Sequence, residues 1–116
     1  MKSKYRGIFE NAAVGIFQTT LDGRILAANP AISQMLGYDS ADEFMALVND
    51  FRRLFIEPGI RIKFMHKIRE ENKVTDFEVQ VSRKDGNSIW VLMNAHALHD
   101  SNGKITGLQA QSALVQ

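Results

Sequence analysis

Three short turns constrain this chain more than any other feature. Asp22-Gly23, Asp85-Gly86 and Asn102-Gly103 each separate runs rich in strand-forming residues. Such pairs need a positive φ that glycine supplies, and they join antiparallel neighbours. Residues 14–21 and 24–28 flank the first turn. Before the second, Phe77, Val79 and Val81 alternate with Asp76, Glu78, Gln80 and Ser82, the period of a strand with one buried face that starts at Asp76. Residues 88–99 link the second turn to the third, and residues 104–112 follow it. Hairpins at both ends therefore predict five antiparallel strands.

Helices account for the rest. Tyr5, Ile8, Phe9 and Ala12 recur at helical spacing and predict a short amphipathic helix. Asn29-Pro30 is an N-cap followed by proline at the first helical position, and that helix carries Ile32, Met35 and Leu36 before stopping at Gly37. Ser40 and Glu43 have capping-box spacing and open a helix with Phe44, Leu47 and Val48. Residues 49–59 are irregular, with Leu54 and Phe55 as anchors. Pro58 and Gly59 precede a third core helix, about 60–71, where Arg61, Phe64, Met65 and Ile68 share a face. The order α-β-β-α-α-α-β-β-β predicts an α+β fold: a five-stranded antiparallel sheet with helices packed on one face.

With 116 residues the chain makes one domain, read as residues 1–116 with an N-terminal helix (1–13) and a core (14–113). The absence of cysteine removes disulfides, thiolate-bound metals and thiol catalysis, and fits a reducing, cytoplasmic setting. A formal charge of +1 gives no electrostatic case for nucleic acid or an anionic membrane. No apolar run approaches the ~18 residues of a membrane span. Serine and histidine occur, yet no glycine-flanked nucleophile or paired carboxylate accompanies them, so no enzyme is expected.

Several stretches together resemble one family. Residues 9–17 (FENAAVGIF), Leu21-Asp22-Gly23-Arg24-Ile25, Asn29-Pro30-Ala31 and Leu36-Gly37-Tyr38 are similar to the first half of a PAS domain, the sensory box, and residues 83–91 (RKDGNSIWV) resemble its C-terminal hairpin. The order and spacing match over essentially the whole chain. Two departures stand out: Ala13 replaces a proline common before the first strand, and the ending, residues 111–116 (QSALVQ), lacks the usual Asp-Ile-Thr. The resemblance implies a non-catalytic sensor and dimerisation module joined to an output domain outside these residues, of histidine kinase or GGDEF-type diguanylate cyclase kind. It also implies an interior cavity, which relatives use for flavin, haem or small metabolites.

A light-driven flavin adduct needs a cysteine, and there is none. Flavin-binding relatives present asparagines where Val81 and Val91 stand here, although Gln109 matches a flavin-contacting glutamine. His66 could ligate haem iron, but it shares a helix face with Ile62 and Arg69, away from Phe64 and Ile68, and the family's ligand position falls at Arg61. His96, His99 and Asp100 suggest a metal, except that strand residues three apart point to opposite faces. No cofactor is therefore expected. What remains is an apolar cavity with Phe77, Val79, Val81, Ile89, Val91 and Met93 as its floor, Phe64, Met65, Ile68, Met35 and Leu36 as its walls, and Arg61 and Gln109 as polar contacts. A small apolar or carboxylate ligand would suit it, and side chains filling the space would suit it equally.

Residues 88–99 are apolar on both faces. Trp90, Leu92 and Leu98 lie opposite the cavity side, where a sheet with one covered face would meet water. The N-terminal helix, through Tyr5, Ile8 and Phe9, could cover them from the same chain or a second one, so a homodimer across the sheet is expected.

Overall fold

In a computed structural model the backbone is described for residues 2–115 and the side chains for residues 7–115. The elements run α1 (Lys2–Asn11), β1 (Gly15–Thr20), β2 (Ile25–Ala28), α2 (Pro30–Met35), α3 (Ala41–Leu47), a 3₁₀ turn (Phe51–Leu54), α4 (Pro58–Glu71), β3 (Lys73–Ser82), β4 (Ser88–His99) and β5 (Ile105–Leu114). The strands form one sheet in the order β2-β1-β5-β4-β3, with every neighbouring pair antiparallel. Fold class and element order are as the sequence predicts.

The three turns share one construction. The N–H of Thr20, Arg83 and Asp100 donates to the carbonyl of the residue four later, and the closing glycines Gly23, Gly86 and Gly103 have φ of 100°, 90° and 83°. Only the glycine of each pair takes positive φ. The loops are thus three residues long and end in a glycine bulge.

One sheet face meets the helices. Phe17 and Thr19 of β1, Val79 and Val81 of β3, Val91, Met93, Ala95 and Ala97 of β4, and Leu108 and Ala110 of β5 are buried there against Ile32, Leu36, Phe44, Phe64, Met65 and Ile68. Leu54 and Phe55 anchor the irregular segment as expected, and Phe55 forms a bridge to Val81. The predicted start of β3 needs one correction. The strand begins at Lys73 and carries a bulge at 75–76, where Asp76 takes φ 51° and its N–H is held by Asn94 Oδ1 at 2.9 Å. Strict alternation across 76–82 hides this, because a bulge resets the register rather than breaking it.

Candidate functional site

The interior beneath α4 is built from rings. Phe51 lies between Phe17, Phe55 and Phe64, each at a centroid distance of 5.9 Å, while Phe64 meets Phe55 at 5.2 Å and Phe77 at 5.6 Å. Tilted and edge-on geometries dominate, as ring quadrupoles favour. Phe17, Phe51 and Phe64 have no exposed surface and Phe55 has 2%. The floor and wall residues expected of a cavity come together here: Phe64, Met65, Ile68, Leu36, Val79, Val81, Val91 and Met93 are buried, with Met35, Phe77 and Ile89 packed against them. They meet around ring side chains. Phe17 and Phe51, which complete this packing, were not picked out from sequence.

Arg61 and Gln109 part company. Arg61 lies on the inward stripe of α4, where its Nη2 donates to the Phe55 carbonyl at 3.3 Å and its Nε is buried without an acceptor. Gln109 is a correction. It stands between the buried Leu108 and Ala110 on β5, so strand alternation sends it to the opposite face. There it accepts a 2.7 Å hydrogen bond from Gln18 Nε2, and it pairs opposite His96.

Val81 and Val91 point inward at 2% and 1% exposure and offer no hydrogen bond to a flavin edge. The space above them holds the phenylalanine rings. On α4 the inward stripe carries Arg61, whereas His66 is exposed, so no imidazole faces the core from this helix. His96 and His99 do not converge either: His96 stands between Lys73 and Gln109 on neighbouring strands, and His99 Nε2 lies 3.2 Å from Asn72 Oδ1.

The outer face of the sheet is mixed. Trp90 is 50% exposed, with Leu92 and Leu98 half-buried beyond it on β4. A notch of about 120 Å³ runs from Trp90 to Ile56 and Ile60 at the β3 edge. The expected cover does not reach it. α1 is tied instead to the start of α2, with the Phe9 carbonyl accepting from Asn29 Nδ2 at 3.0 Å, and Ile8 is left 63% exposed. Phe9 and Trp90 therefore belong to separate surfaces, and the Tyr5 side chain lies outside the described residues.

Beside α1 runs a larger groove of about 750 Å³, bounded by β2, α2 and the start of α3. Sequence patterning did not point to it, because its walls come from four elements that only the fold brings together.

A family model described as PAS domain matches residues 13–111. Among curated proteins, the chain is 27% identical over 93 residues to the sensor histidine kinase TmoS of Ectopseudomonas mendocina, covering 77% of this chain and 9% of that protein. It is 24% identical over 95 residues to the phosphoserine phosphatase RsbP of Bacillus subtilis (strain 168), covering 82% of this chain and 24% of that protein. Thus the chain spans under a tenth of one relative and about a quarter of the other. Among solved structures, a domain of a sensory box sensor histidine kinase/response regulator from Geobacter sulfurreducens matches with TM-score 0.75 and 29% identity, covering 96% of this chain and 91% of that one. A PAS domain from Colwellia psychrerythraea matches with TM-score 0.86 and 19% identity, covering 98% and 96%.

Proposed function

This chain belongs to the PAS domain family, and from that membership we propose that it is the non-catalytic sensory module of a longer cytoplasmic signalling protein, acting as a homodimer on an attached output domain. An output of histidine kinase type is supported by the kinase among the curated relatives and by the kinase-derived domain among the structures. Among the described residues no helix is long and apolar enough to cross a membrane.

The observation that carries this reading is the outer sheet face. Trp90, Leu92 and Leu98 lie on the strand whose other face, through Val91 and Met93, forms the core. Changes in core packing can thus pass directly to the outer face around the exposed Trp90, which a second copy would cover. Trp90→Asp should convert dimers to monomers in sedimentation equilibrium, with Leu92→Lys as a second variant should the first prove insoluble. A dimer of undiminished affinity in both would overturn the reading.

Arg61 favours a second reading, that of a small carboxylate ligand. Its buried Nε lacks an acceptor at the margin of the ring cluster, and an unmet buried donor costs about 1–3 kcal/mol. Short-chain carboxylates should then raise the melting temperature of the native chain and not of Arg61→Ala. An equal response from both proteins would dismiss it.

A further inference from the structure

The notch at the β3 edge joins three chemistries in a small space. Ile56, Ile60 and the exposed Trp90 form its apolar walls, and Glu57, Glu78 and Gln80 rim it. Both glutamates are exposed, and among the described residues neither carboxylate has an ion-pair or hydrogen-bond partner. Glu57 holds the N-cap position of α4, yet its side chain makes no capping bond. Gln80 Nε2 donates to Ser88 Oγ at 2.7 Å, which leaves the amide oxygen as a further acceptor.

An indole face with two carboxylates and an amide oxygen around it selects a cation. The ring quadrupole attracts positive charge, and the carboxylates add to that field. Apolar walls favour a hydrocarbon stem behind the charge. Size narrows the choice. Sites that enclose a drug-sized molecule run to about 300–1,000 Å³, whereas this notch offers about 120 Å³, room for one side chain. Arginine suits it better than lysine, because a planar guanidinium stacks on an aromatic face and its fork of donors can serve several acceptors at once. β3 is the edge strand of the sheet, so the backbone flanking that arginine can pair along it. None of the strands carries an arginine, so a second copy packed sheet to sheet brings none from its own face.

We propose that this notch is the anchor pocket for one arginine side chain of a partner protein other than a second copy, with the guanidinium on Trp90 between Glu57 and Glu78. The inference goes beyond the dimer reading and does not rest on it, since Glu57 and Ile60 belong to the sheet edge rather than to the face of Trp90, Leu92 and Leu98.

Trp90 is the chain's only tryptophan, so its fluorescence reads the notch directly. At protein concentrations below self-association, the capped tripeptide acetyl-Ala-Arg-Ala-amide should change that emission saturably. The norleucine counterpart, which keeps a stem and drops the charge, should not, and the lysine counterpart should bind more weakly than arginine. Glu57→Gln with Glu78→Gln should weaken binding of the arginine peptide at least about tenfold while self-association in sedimentation equilibrium stays native. Salt should weaken the native interaction. An arginine peptide that leaves the emission unchanged, or that binds the double variant as tightly as the native chain, would overturn the site. Propylguanidinium binding as tightly as the tripeptide would assign the notch to a free organic cation, and lost self-association in the double variant would assign it to a second copy; either result would overturn the partner. The dimer reading is decided separately, by Trp90→Asp and Leu92→Lys.

Discussion

Asn29 has no exposed surface and uses every hydrogen-bonding valence of its side chain. Its Oδ1 accepts from the N–H of Ile16 at 2.8 Å and of Ile32 at 3.1 Å, while its Nδ2 donates to the carbonyls of Phe9 and Val14, both at 3.0 Å. One side chain thereby caps α2, pins the start of β1 and holds the end of α1. The Asn-Pro pair announces the cap, because asparagine there satisfies a free N–H at the helix start. Nothing nearby announces the other bonds, since their partners lie 13–20 residues away in sequence. Asn29→Ala should lower unfolding stability by about 3 kcal/mol in urea titration, as buried donors and acceptors lose partners together. Asn29→Asp sharpens the point. Aspartate caps helices as well as asparagine does, but its carboxylate would face two carbonyl oxygens, so it should fail to rescue. Recovery of most of the stability by aspartate would reduce Asn29 to a simple cap.

At the next scale, the turn between β3 and β4 grips the α2–α3 connection. Lys84 Nζ pairs with Glu43 Oε2 at 2.9 Å, the Lys84 N–H donates to the Leu36 carbonyl at 2.9 Å, and Arg83 Nε donates to the Met35 carbonyl at 3.2 Å. Ser40 and Glu43 have the spacing of a capping box, and Ser40 Oγ does accept from the Glu43 N–H. The return bond goes elsewhere: Glu43 Oε1 accepts from the Asp39 N–H, one residue before the cap, while its other oxygen holds Lys84. Spacing predicts the cap, yet only the fold brings a lysine 41 residues away to the same carboxylate. The Lys84 hydrogen bond, then the Asp39 N–H, hold the Glu43 carboxyl below its ordinary range. The Glu43 hydrogen bond likewise holds the Lys84 ammonium above its own. A lowered acid stabilises the fold above its unfolded pKa and loses that contribution as pH falls through the folded value; a raised base loses its contribution only as pH climbs past the usual lysine range. The pair is therefore indifferent to pH near neutrality. Glu43→Gln should flatten the acid limb of the stability curve and speed amide exchange at Lys84. An acid limb as steep as the native one would place the proton linkage at other carboxylates.

Over the whole molecule, local signals and distant packing divide what the sequence discloses. Three glycine turns declare the hairpins, because each turn is made within five residues. The pairing of β1 with β5, Gly15 opposite Ser112, joins the ends of the core and has no local sign. At Gly107 the two strands approach so closely that a Cβ would run into the Thr19 carbonyl oxygen. The core-facing residues of β3, β4 and α4 were legible because periodicity fixes which face a side chain takes. Gln109 shows the limit: an expectation carried over from a resemblance overrode the parity set by Leu108 and Ala110. How the interior is filled was not legible, because Phe51 lies in a segment without periodicity and ring contacts depend on the tertiary placement of Phe17, Phe55 and Phe64. Phe64 touches three of the other rings and so tests the filling. In a tightly packed interior, Phe64→Ala should cost about 3–5 kcal/mol, the lost transfer energy plus the cavity left behind. The cavity should also let benzene raise the melting temperature of the variant and not of the native chain, since an apolar void stays dry and takes an apolar guest. A preformed cavity beside Phe64 would give the opposite pattern. The native protein would then respond to benzene as strongly as the variant, and the cost of truncation would fall toward the low end, because the lost ring had fewer neighbours to leave.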